Sequence, residues 1–224
     1  MDPIAYLMLA CAVFLALHLL PSTPLRGALI ARLGESPYTG LFSLATLAAI
    51  VWMALAYRAV PYTPLWPGLR WLPAVVMPFS FILISCGVLT PNPTAVAAGR
   101  LLANPEPARG IIRVTRHPVM WGIMLWAGAH ILARGELKAT VFFGSFLLLA
   151  AAGTRLQDAR KAKVHGEDWR RFAAQTSNLP FAAVVQDRNR FAAGEIGLVR
   201  VAFGLLLYGG MLLSHAWLFG VRPY

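Results

Sequence analysis

The sequence predicts an all-α fold: a polytopic membrane helix bundle of about six transmembrane helices plus a cytoplasmic amphipathic helix, formed by one domain over 1–224. Three observations predict it. Hydrophobic residues make up 58% of the chain and charged residues only 13%, about half the charged share of a soluble domain. The apolar residues come in blocks long enough to cross a hydrocarbon core of about 30 Å. The basic residues collect in the connections between blocks and favour one side.

The first span is 4–20. Met1-Asp2-Pro3 ahead of it has no basic stretch, so the block reads as a retained helix and not as a cleaved signal. Spans two and three are 38–57 and 72–89, and the connection between them carries Tyr62, Trp66 and Trp71 among prolines, the composition of an interfacial aromatic belt. Four prolines (Pro91, Pro93, Pro105 and Pro107) leave room in 90–115 for at most one short helix near 96–102. Spans four and five, 118–133 and 139–153, are short, and the tight Arg134-Gly135-Glu136-Leu137-Lys138 connection makes them a helical hairpin. A charged helix over 155–164 follows, which Gly166 breaks. Beyond it, Trp169, Phe172 and Ala173 share one face of an amphipathic helix that lies on the membrane surface or packs under the bundle. Span six is 196–219.

A net charge of +11 invites a nucleic-acid partner. The placement of the charge argues against one. Connections after spans one, three and five carry Arg26, Arg32, Arg100, Arg109, Arg113 and Arg116, with eight more between Arg155 and Arg190, fourteen in all. The other side has five: Arg58, Arg70, Arg134, Lys138 and Arg222. That bias sets topology and attracts anionic lipid. It places both termini in the periplasm and the 154–195 segment in the cytoplasm of a multi-pass protein of the bacterial inner membrane. Cys11 and Cys86 both fall in apolar blocks without metal-ligand spacing, and read as buried thiols.

Ionisable groups within spans are costly, so each is a functional candidate. Four histidines qualify: His18, His130, His215 and His117, the last at the mouth of span four. Two histidines from different helices, with few other buried polar groups, suit the axial ligands of a haem iron. His18 could equally be an interfacial ring making one hydrogen bond. His215 suits the outer aromatic belt, and His165 a solvated helix face. Gly128 and Ala129, next to His130, let a helix or a flat cofactor approach closely. With a rise of about 1.5 Å per residue, His18 lies about 21 Å from the outer face and His130 about 20 Å from the inner. Their depths then differ by about 11 Å in a core of about 30 Å. For His18 and His117 the difference is about 9 Å, so depth does not choose between the pairs. Arg116-His117-Pro118 is a cationic helix start, or a site for a carboxylate or phosphate.

Several runs resemble the NnrU family: HLLPS at 18–22, RLGE at 32–35, YTGLFSL at 38–44, RVTRHPVMWG at 113–122 and LWAGAHILARG at 125–135. Its bacterial members are associated with denitrification gene sets, and it includes 15-cis-zeta-carotene isomerase, to which NLPFAA at 178–183 is also similar. The resemblance implies haem b with iron held by His18 and His130 and no further catalytic residue. It also implies a redox-gated cis–trans isomerisation of a polyene double bond. Arg116 and His117 are then expected to contact a haem propionate or another anion at the cytoplasmic side, and Met124, Trp126 and Gly128 to line a route for a hydrophobic substrate from the lipid. One departure is Ala127, where the isomerase has a cysteine three residues before the second histidine.

Two other functions remain beside isomerisation. One is a haem sensor or electron carrier serving nitric oxide metabolism. The other is a methyltransferase: isoprenylcysteine carboxyl methyltransferases also combine an RHP motif with a Gly-Glu-x-aromatic segment around S-adenosylmethionine. Arg116, His117, Pro118 and Glu167 would fill those places, with Met120 where a tyrosine is usual. That reading leaves His18 and His130 unexplained.

Overall fold

The structure is a computed structural model that describes residues 1–95 and 98–223. It is all-α. The six predicted spans appear as α1 (Pro3–Leu19), α3 (Glu35–Ala59), α4 (Leu72–Leu89), α6 (Pro118–Arg134), α7 (Leu137–Gln175) and α10 (Leu198–Phe219). Five of these helices are long and apolar enough to cross a membrane, α1 with the help of the 3-10 turn Leu20–Ser22 that extends it. The sixth, α6, has 17 residues, the lower end of the range for a crossing. α7 runs without a break from its apolar part, which ends near Gly153, into the charged stretch expected as a separate helix. Gly166, at φ 49°, interrupts it. Shorter helices fill the connections: α2 (Leu25–Leu33), α5 (Ile111–Val114), α8 (Ala182–Val185) and α9 (Ala193–Ile196). Within the short helix expected near 96–102, residues 96 and 97 lie outside the described residues. The rest forms a 3-10 turn, Gly99–Ala103.

The chain divides into two compact units. The first comprises Met1–Leu69 and His130–Leu149. Leu7, Ala10, Cys11 and Phe14, spaced by three and four, form the buried stripe of α1, and Ala49, Met53 and Ala56 answer it from α3, with Val60 just beyond. In lipid there is little hydrophobic drive between helices, so contact density holds them, and the small alanines let the backbones close up. Val141, Phe142, Phe146 and Leu149 of α7 complete this core. The α6–α7 turn is pinned by its neighbours: Leu65 N–H donates to the Gly135 carbonyl at 2.7 Å and Leu137 N–H to that of Thr63 at 2.9 Å. Gly135 has φ 57°, and a Cβ there would run into the Trp66 carbonyl, so only glycine serves. Glu136 is fully buried beside it and accepts hydrogen bonds from Arg134 Nε at 2.6 Å and the Tyr57 hydroxyl at 3.1 Å.

The second unit comprises Arg70–Ala129 and Ala150–Tyr224. α10 lies against α4. Ser85 Oγ donates to the Arg200 carbonyl at 2.9 Å, and a Cβ on Gly204 would stand only 3.0 Å from the Phe81 carbonyl oxygen. α4 approaches α6 as closely, with Ser80 Oγ donating to the Gly122 carbonyl at 2.7 Å. Below these helices Cys86, Leu102, Ile111, Ile112 and Val114 enclose Trp169 and Phe172. The amphipathic helix after Gly166 is therefore packed into a core. Both cysteines are buried and unbridged.

Candidate functional site

The α1 stripe continues one turn beyond Phe14 to His18, which is why His18 faces the interior of the first unit. Its Nδ1 is 2.9 Å from the Phe14 carbonyl. A carbonyl only accepts, so this nitrogen carries the proton and Nε2 keeps its lone pair in the neutral ring. Metal-ligating histidines are commonly held this way, with the second nitrogen fixed by a backbone oxygen. The ring lies 4.4 Å from that of Phe14 and 5.9 Å, edge-on, from that of Phe42. Phe42 belongs to the α3 stripe that continues through Ala49 and Met53. His130 falls in the same unit, at the end of α6, with its ring nearly parallel to that of Phe143 on α7 at 4.9 Å.

An iron porphyrin asks for two imidazole lone pairs, flat apolar walls and few charges. His18 and His130 both belong to this unit, and the rings of Phe14, Phe42 and Phe143 flank them. On the α3 face that carries Phe42, the Tyr38 hydroxyl and Thr46 Oγ1 are buried without a hydrogen-bond partner, and native interiors rarely tolerate such atoms. Among the described residues no three His, Cys, Asp or Glu side chains gather as a metal site.

The RHP motif lies in the second unit and is a different kind of site. Arg116 grips Asp158 of α7, with Nη2 2.6 Å and Nε 3.0 Å from Oδ2, while its Nη1 donates to the Thr176 carbonyl. His117 is 2% exposed, and its Nε2 donates to Asp158 Oδ1 at 2.7 Å. The Arg116 carbonyl accepts from Thr94 Oγ1 at 2.8 Å, and Thr115 Oγ1 donates to the Asn178 carbonyl at 2.6 Å. Trp169 lies 5.8 Å under the guanidinium. Burial disfavours the Asp158 carboxylate, but hydrogen bonds from His117 and Arg116 outweigh it and hold the group below its ordinary pKa. The anion that the motif attracts is thus the protein's own carboxylate, which sequence reasoning missed. Asp158 sits in a charged run that reads as a solvated face. The one available signal was its i,i+4 spacing from Thr154, which puts two polar groups on one side of the helix, and Thr154 Oγ1 accepts from Asn178 Nδ2 at 2.9 Å.

The remaining candidates lie apart. The His215 ring donates from Nδ1 to the Val221 carbonyl at 2.7 Å and meets Phe219. His165, expected in solvent, is half-buried with its ring pressed on Gly99. Glu167 is exposed and pairs with Arg170. Ala127 is fully buried. Met124 and Trp126 are half-buried, and a Cβ on Gly128 would meet nothing within 4 Å.

The sequence model of the family described as "NnrU protein" matches residues 6–223. This chain belongs to the NnrU family. Two curated relatives are similar to parts of it. "15-cis-zeta-carotene isomerase, chloroplastic" of Arabidopsis thaliana is 38% identical over 79 residues, 35% of this chain and 22% of the plant protein. The Zea mays protein of the same name is 33% identical over 81 residues, 36% of this chain and 22% of its own length. This NnrU-family chain therefore matches about a fifth of each plant protein. No solved structure matches it.

Proposed function

We propose that this NnrU-family membrane protein holds haem b between His18 and His130 and catalyses cis–trans isomerisation of a polyene drawn from the lipid. The observation that carries the reading is the fixed tautomer of His18, whose Nδ1–H is spent on the Phe14 carbonyl so that Nε2 is left to ligate. Similarity to the plant isomerases supports the substrate class. Bound haem would supply an iron whose oxidation state governs whether a coordination position opens to a double bond. The chain's own residues do the rest. Phe14 and Phe42 hold the His18 ring from two sides, and Phe143 holds that of His130. The surrounding Leu, Ala and Phe side chains exclude water, so a hydrocarbon substrate enters without a desolvation cost. In this reading the basic connections face the cytoplasm and both termini the periplasm.

A second reading, a haem sensor or electron carrier, is favoured by Ala127. A thiol three residues before His130 would offer the iron an alternative ligand; a buried methyl group offers none. Turnover assays separate the two. Reduced protein that converts a cis polyene catalytically supports the isomerase. Reversible reduction or nitric oxide binding without polyene turnover supports the sensor or carrier. The methyltransferase reading has less support, since the RHP side chains already hold Asp158.

A further inference from the structure

We propose that Tyr38 and Arg26 form a carboxylate-binding site that takes a propionate of the haem. The inference rests on the haem reading of the first unit. Tyr38 is one helical turn before Phe42 on the inner face of α3 and is only 8% exposed. Its hydroxyl is buried and has no partner. Its ring stacks along Phe42 with centroids 6.3 Å apart, and Phe42 in turn meets the His18 ring at 5.9 Å. A continuous aromatic series thus leads from the ligating imidazole to a donor with nothing to donate to. Arg26 of α2 brings its guanidinium carbon to 5.8 Å from the centre of the Tyr38 ring. Its ion pair is long, 3.4 Å to a Glu35 side chain that is 74% exposed, so the guanidinium is held loosely, unlike that of Arg116. A phenol hydroxyl beside a guanidinium matches a carboxylate, and charge-assisted hydrogen bonds are the stronger kind. Arg26 lies in the basic connection after span one and Tyr38 in the first turn of α3 that follows it, where a carboxylate can stay near the membrane edge while a macrocycle occupies the apolar stripe.

The test compares haem b with its dimethyl ester, which keeps the iron and ring but has no carboxylate. Each is titrated into detergent-solubilised wild type, Tyr38→Phe and Arg26→Gln. Wild type is expected to bind haem b about tenfold more tightly than the ester. Each variant is expected to lose about tenfold for haem b and nothing for the ester. Because the Tyr38 hydroxyl is unpartnered, Tyr38→Phe should leave the Tm of the haem-free protein unchanged or raised, which a structural hydroxyl would not do. Equal wild-type affinity for haem b and ester overturns this site and leaves the haem reading standing. Variants that weaken both pigments alike also overturn it, as does weaker oleate binding in the variants with haem b binding intact, which would assign the carboxylate to a lipid. Failure of wild type to bind either pigment removes the haem reading and this site together.

Discussion

The surroundings of the RHP motif and of His18 treat buried polar groups in opposite ways. Around Arg116, His117 and Asp158 every group is answered: carboxylate by guanidinium and imidazole, carbonyl by threonine, indole by asparagine. Around His18 the walls are phenylalanine, and the polar atoms nearby on α3, the Tyr38 hydroxyl and Thr46 Oγ1, have no partner. A saturated network specifies and rigidifies a fold, because removing any member strands another. A half-satisfied apolar site costs stability and persists where a ligand completes it. The motif most visible in the sequence, RHP, is thus tied into the fold through Asp158, while the reading proposed above gives the ligand role to the less conspicuous histidine of α1.

That contrast breaks most sharply at the ligands. His18→Ala or His130→Ala should remove nearly all haem while leaving the apoprotein folded, measured as pigment per chain and thermal unfolding. Asp158→Ala should do the reverse. With Arg116 and His117 left buried without their anion, stability should fall by about 3 kcal/mol, measured by denaturant titration, while the haem spectrum of the folded fraction stays as in wild type. If Asp158→Ala instead abolished haem binding at unchanged stability, the two roles would be exchanged.

A smaller effect tests packing in the second unit. Gly99→Ala sets a methyl group against the far end of the His165 ring, which can swing aside, and should cost at most about 1 kcal/mol. His165→Ala in the same chain should return most of that loss, and His165→Ala alone should keep its haem. The smallest effect is electrostatic. Glu195 is held at about 2, from an ordinary 4.5, by Arg113 and by the Gly110 N–H. A depressed folded pKa stabilises the fold fully above about pH 4.5, and the benefit is lost as pH falls from there towards 2. Stability against pH should therefore flatten in that window in Glu195→Gln.

The spans were legible because each is a block of apolar residues bounded by charge or proline, and the Gly166 break because nothing else in the run tolerates φ 49°. α2 was not legible: Arg26 and Arg32 at its ends and Gly27 within it give it the look of a loop, and its apolar stretch is shorter than a span. Nor was the continuity of α7, where composition changes at Gly153 but the helix does not end. At the site, His18 and His130 stood out as ionisable groups in apolar blocks. Their settings did not, since Phe42 is 24 residues from His18, Phe143 is 13 from His130 and Asp158 is 42 from Arg116. Pairings of that kind come from packing, not from local pattern.

The central claim is two-histidine ligation of haem by His18 and His130, and the most direct test is low-temperature electron paramagnetic resonance of the oxidised, purified protein, with haem counted by pyridine haemochrome. The account predicts a low-spin, two-imidazole ferric signal at about one haem per chain. That signal should disappear or turn high-spin in His18→Ala and in His130→Ala, and stay unchanged in His165→Ala. A low-spin signal that survives both single substitutions, or a protein that takes up no haem on reconstitution, would contradict it.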